Sequence, residues 1–132
     1  MNELTHNAKI AVLKLLMDIA TADQVVHEKE VEYLNQVAQS FGFSDDYKAQ
    51  VDNIVTLQAL SVIRELTASQ KTEIAKLMGK MIVIDEDINY NEVKLYNAVC
   101  ESCNIEKDFN IEDYPDYTLS GPFVNPEDIM NT

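Results

Sequence analysis

Ala22-Asp23-Gln24-Val25-Val26-His27-Glu28-Lys29-Glu30-Val31 lies over Ile84-Asp85-Glu86-Asp87-Ile88-Asn89-Tyr90-Asn91-Glu92-Val93 when the sequence is shifted by 62 residues. Asp23 falls on Asp85, Val26 on Ile88, Glu30 on Glu92 and Val31 on Val93. The same shift matches Asn35 to Asn97, Val37 to Val99 and Ser40 to Ser102. Repetition at a fixed spacing marks one supersecondary unit used twice, because a single unit cannot bury its own apolar face. Each matched stretch joins an apolar helical segment to a second one. The reading is therefore a pair of similar helix–turn–helix hairpins whose turns are neighbours in a pseudo-symmetric bundle.

The flanking residues support helices throughout. Ile10, Leu13, Leu16, Met17 and Ala20 recur at steps of three and four, which predicts an amphipathic first helix from about Glu3 to Ala22. A second helix follows Val26-His27 and ends near Phe41, with Gly42 as its stop. Ser44 is the expected cap of a third helix, and Thr56 the start of a short fourth. Thr67-Ala68-Ser69-Gln70 reads as a capping box opening a fifth helix to about Ile84. Asn89-Tyr90-Asn91-Glu92 reads as another, opening a sixth to about Cys103. No segment alternates long enough to be a sustained strand. The expected fold is all-α: one bundle of about six helices over residues 1–106, followed by an irregular acidic and aromatic tail over 107–132.

Composition narrows the function. The chain has 132 residues, 46% hydrophobic and 25% charged, which suits one globular domain. Three Gly and three Pro are too few for a turn-rich sandwich or barrel. Ten Lys and Arg against 23 Asp and Glu give a net charge of −13. Nucleic-acid binding draws its affinity from neutralising phosphates with basic side chains, so no nucleic acid is expected as a partner. Cations and basic protein surfaces are the partners that electrostatics favours. The best apolar stretch, Ile10 to Ala22, is interrupted by Lys14 and Asp18 and falls short of a transmembrane segment. The start lacks the basic flank and apolar run of a signal peptide, so the expectation is a cytoplasmic protein with reduced thiols.

An apolar helix, then Ala-Asp, three residues, a cap position and a Glu at the third helical position resembles the TerB-like family of tellurite-resistance proteins, whose fold also occurs in the N-terminal part of some J-domain co-chaperones. The resemblance covers about residues 8–106 and both turns. It implies an all-helical bundle, no established enzymatic activity, and a role in cation- or stress-related assemblies. Gln24 and Glu86 stand where that family often has Gly, and His27 stands where Ser or Thr is common.

The two turns hold the candidate site. Asp23 and Glu30 from one, with Asp85, Asp87 and Glu92 from the other, are candidate ligands for a divalent cation such as Ca²⁺ or Mg²⁺, which take oxygen donors. The competing reading is structural: Glu30 and Glu92 follow His27 and Asn89 by three residues, as capping-box glutamates do, and Asp23 and Asp85 suit Asx turns. Asp85-x-Asp87-x-Asn89-x-Asn91 imitates the opening of an EF-hand, but Tyr90 and Tyr96 occupy positions that need Gly and a bidentate Glu. Cys100-Glu101-Ser102-Cys103 closes a helix instead of opening one and falls on core-stripe positions of the repeat, so two buried structural thiols are expected. No nucleophile elbow or Gly-rich phosphate loop is present.

In the tail, Phe109, Ile111, Tyr114, Tyr117, Leu119, Phe123 and Val124 are too apolar for an ordinary disordered segment. They are expected to dock on the bundle or on a second copy of the chain. The functional expectation is a non-enzymatic binding or scaffold module with a protein partner, or self-association through the tail, and a divalent cation or basic partner at the acidic turns. The alternatives are a small carboxylate-based metal-dependent hydrolase, or a structural accessory protein with no ligand.

Overall fold

The computed structural model describes residues 4–22 and 26–121. Six helices appear in chain order: α1 (His6–Ala20), α2 (Glu28–Ser40), α3 (Tyr47–Asp52), α4 (Thr56–Arg64), α5 (Ala68–Val83) and α6 (Tyr90–Cys103). Two three-residue strands, β1 (Asp87–Asn89) and β2 (Thr118–Ser120), pair in parallel, and a 3-10 turn spans Ile111–Asp113. The architecture is the expected all-α bundle. No helix among the described residues is long and apolar enough to cross a membrane.

The duplication is visible in the element boundaries. α5 begins 62 residues after α1 (Ala68 against His6), and α6 begins 62 residues after α2 (Tyr90 against Glu28). The helix ends repeat it too. Gly42 leaves α2 with φ +88, and Phe43 N donates to Ala38 O at 3.0 Å. At the equivalent place Asn104 leaves α6 with φ +56, and Ile105 N donates to Cys100 O at 2.9 Å. Both are left-handed exits closed by a bond reaching back five residues, which satisfies carbonyls the helix leaves unpaired. Gly and Asn are the residues that adopt this conformation at least cost.

α1 is the central helix. The sequence predicts one apolar stripe, yet Ala8, Ile10, Ala11, Val12, Leu13, Leu15, Leu16, Ile19 and Ala20 are all buried. The reason is that α1 packs against α2, α3, α4, α5 and α6, so most of its circumference must be apolar and only a narrow face with Asn7, Lys14 and Asp18 reaches solvent. Each fully buried Leu or Ile contributes about 1.5–3 kcal/mol relative to exposure. Thr5 caps the start, its hydroxyl accepting from Ala8 N at 3.1 Å. α1 thus starts later and ends earlier than the apolar run suggests.

Other starts follow the sequence closely. Gln70 and Thr67 form the reciprocal capping box of α5, with Thr67 N donating to Gln70 Oε1 at 3.0 Å and Gln70 N to Thr67 Oγ1 at 3.1 Å. The cap of α3 is Asp46, two residues after the expected Ser44, because a turn intervenes. Cys100 and Cys103 are free, buried thiols, and burial pushes the Cys100 pKa up to about 11. Cys103 is raised for the same reason.

The two short strands were not expected. From Lys107 the chain turns back along α5 and α6. Phe109, Ile111, Tyr114 and Tyr117 are half-buried against the core, and β2 runs beside β1 in the register Asp87–Thr118, Ile88–Leu119, Asn89–Ser120. A three-residue strand leaves no alternation to read, so only the pairing reveals it. Phe123 and Val124 lie outside the described residues.

Candidate cation site at the paired elbows

The elbows joining α1 to α2 and α5 to α6 meet. Both depend on local turn chemistry. In the first, Glu30 Oε1 accepts from His27 N at 3.1 Å, so the glutamate in the first turn of α2 ties back to its own cap residue. In the second, Glu86 takes φ +62, and Asp85 Oδ1 accepts from Asp87 N at 3.2 Å, an Asx turn. That bend sends Asp87–Asn89 into β1 instead of a metal loop, and Asn89 Oδ1 then caps α6 by accepting from Asn91 N at 2.8 Å. The capping-box reading is therefore realised at Glu30 and altered at the second elbow, where Asn89 caps the second helical residue.

Two layers of carboxylates result. The inner layer is Glu30 and Glu92, 1% and 2% exposed, whose carboxyl groups lie against each other. Two buried carboxylate anions in contact repel strongly, so a proton between them is the favourable arrangement. Burial is the main force raising the Glu30 pKa above its ordinary value. The bonds from His27 N and Glu92 oppose it, the Asp85 charge adds to it, and the His27 ring opposes it again.

The outer layer is Asp85, Asp87 and His27. His27 Nε2 lies 3.7 Å from Asp85 Oδ2. One ligand atom from each of His27, Asp85 and Asp87 falls within 4.8 Å of the others, and all three residues are partly exposed. Asp87 Oδ2 also accepts from the Ser120 hydroxyl at 2.6 Å. One imidazole nitrogen with two carboxylates is a mixed donor set that suits Mn²⁺ or Zn²⁺ better than the all-oxygen shell of Ca²⁺.

Of the five carboxylates singled out by sequence, Asp85 and Asp87 stand at the rim and Glu30 and Glu92 beneath them, while Asp23 lies outside the described residues. The sequence marks His27 only as a cap position. Its register opposite Asn89 was the available signal, because equivalent positions of two facing elbows come close together. Ser120 had no signal in the sequence.

Two helix–turn–helix hairpins whose elbows meet define the chain as an all-α bundle with an internal repeat. Residues 1–53 match the family model described as tellurite resistance protein TerB, which spans α1, α2 and α3 and supports a TerB-like assignment. A crystal structure of a protein of unknown function from Porphyromonas gingivalis W83 superposes with a TM-score of 0.71 over 100% of both chains at 18% identity, a likeness of fold. No curated protein matches.

Proposed function

We propose that this chain is a non-enzymatic, cytoplasmic binding module that holds a divalent cation between its two elbows, with His27, Asp85 and Asp87 as ligands. The observation that carries the reading is the convergence of those three donors from two distant stretches of sequence to within 4.8 Å. Glu30 and Glu92 serve the site from below. Their shared proton keeps the inner layer from adding two full negative charges to the rim. A cation at the rim offsets the repulsion between Asp85 and Asp87 and leaves positions for a partner's oxygen donors, as a scaffold requires. The net charge of −13 favours partners with basic surfaces.

Calorimetric titration of the full chain with Mn²⁺, Zn²⁺, Mg²⁺ and Ca²⁺ tests the reading. Mn²⁺ and Zn²⁺ are expected to bind more tightly than Mg²⁺ or Ca²⁺, and the double variant Asp85→Asn/Asp87→Asn to lose that binding while remaining folded by circular dichroism. A flat wild-type titration with all four ions removes the cation reading and leaves a structural elbow held by its own hydrogen bonds.

A further inference from the structure

The C-terminal segment reaches the candidate site by a continuous path. Asp108 N and Phe109 N both donate to the Tyr96 hydroxyl, at 2.8 and 3.1 Å, fixing the segment to α6. From there aromatic rings succeed one another: Phe109 meets Tyr96 edge-on at 5.9 Å, stacks on Tyr114 at 5.7 Å, and Tyr114 contacts Tyr117 at 5.1 Å. The path ends beside the second elbow, where Thr118 N donates to Glu86 O at 3.2 Å and β2 pairs with β1.

Ser120 closes it with both functions of one hydroxyl. It accepts from Asn89 Nδ2 at 3.3 Å and donates to Asp87 Oδ2 at 2.6 Å. Since Asn89 Oδ1 already accepts from Asn91 N, the side chains of Asn89, Ser120 and Asp87 form one directional hydrogen-bonded chain from the α6 N-terminus to the rim carboxylate. Such chains polarise cooperatively and restrict each member to one orientation.

We propose that Ser120 is a positioning residue for the elbow site, and that docking of the C-terminal strap and loading of the cation are linked through its hydrogen bond to Asp87. The proposal rests on the cation reading above. Residues that orient ligands from behind typically change metal affinity 10- to 100-fold when removed. β2 has only three residues, and Leu119 is 49% exposed. Its docking is therefore held by few contacts, and a small change at Asp87 shifts it measurably. Linkage is reciprocal: if the docked strap tightens the cation, the cation must secure the strap by the same factor.

Gly121 offers an independent handle. Its φ is +103, and a Cβ there would sit 3.1 Å from Tyr90 N and 3.2 Å from Tyr90 Cβ. Gly121→Val should undock the strap without changing the identity of Ser120 or of the ligand residues His27, Asp85 and Asp87.

The experiment uses the full chain as wild type, Ser120→Ala, Ser120→Thr and Gly121→Val. It reads Mn²⁺ affinity by calorimetry and amide hydrogen exchange over 118–120 by mass spectrometry, with and without Mn²⁺. Ser120→Ala and Gly121→Val should each weaken Mn²⁺ binding about 10-fold, and Ser120→Thr should restore it to near the wild-type level. Saturating Mn²⁺ should slow exchange at 118–120 in the wild type and not in Ser120→Ala. Wild-type binding that is unchanged in Ser120→Ala, with exchange indifferent to Mn²⁺, overturns the linkage and leaves the site standing. A flat wild-type titration overturns both.

Discussion

Replacing Glu30 separates the shared proton from the capping bond. Glu30 is buried, and its carboxyl does two things: it accepts from His27 N and lies against the Glu92 carboxyl. Glutamine keeps both bonds without a proton, its Oε1 accepting from His27 N and its Nε2 donating to the Glu92 carboxylate. In the wild type burial raises the Glu30 pKa above 4.5, so the folded state holds a proton that the unfolded chain releases. The stabilisation tied to that proton is full below about pH 4.5 and is lost as pH rises through the raised folded-state pKa. One proton corresponds to at most about 1.36 kcal/mol per pH unit. Glu30→Gln should therefore gain on the wild type with that limiting slope across the window above pH 4.5, each 1 kcal/mol raising Tm by about 4 °C. Glu30→Ala loses the capping acceptor, about 1 kcal/mol, and one hydrogen-bond partner of buried Glu92, about 1–3 kcal/mol. It should be destabilised by about 2–4 kcal/mol. Urea unfolding followed by far-UV circular dichroism at pH 4.5, 5.5, 6.5 and 7.5 reads all three. Parallel pH profiles for Glu30→Gln and wild type would refute the shared proton, and equal losses for the Gln and Ala variants would refute the bonding argument.

Other perturbations probe the frame around the site. Leu16→Ala, at a fully buried position of the central helix, should cost about 2–5 kcal/mol in chemical denaturation; a loss below 1 kcal/mol would contradict that burial. Tyr96→Phe removes the acceptor of two backbone N–H groups, so proteolytic cleavage should increase within 107–121 before the bundle unfolds, and uniform protection would argue against the anchor. Gly42→Ala, at φ +88, should destabilise by about 1 kcal/mol, whereas Asn104→Gly at the equivalent exit should be neutral or slightly stabilising; reversed signs would contradict the equivalence of the two helix ends. Cys100, with a pKa of about 11, and the equally buried Cys103 should be inert to a disulfide reagent at pH 8 until urea unfolds the chain; rapid labelling of native protein would show that they are not enclosed.

The helices and their starts were legible because their causes are local. Leu13 and Leu16 recur at helical spacing, Thr67 and Gln70 form a reciprocal cap, and Gly42 ends α2 through its own backbone freedom. The 62-residue repeat, read from side chains alone, also implied that the two elbows belong together. What their meeting produces could not be read. Glu30 and Glu92 carry the same capping signature as any surface glutamate, and only the meeting of the two elbows turns them into a buried, proton-sharing pair. His27 became a candidate ligand because a facing chain supplies Asp85 and Asp87, and Ser120 reached Asp87 because a tail with no long apolar pattern folded back past α6. Spacing along a chain dictates which face a residue occupies on its own helix; which residue faces it from another element depends on contacts across 30 or 60 positions, and those exist only in the folded molecule.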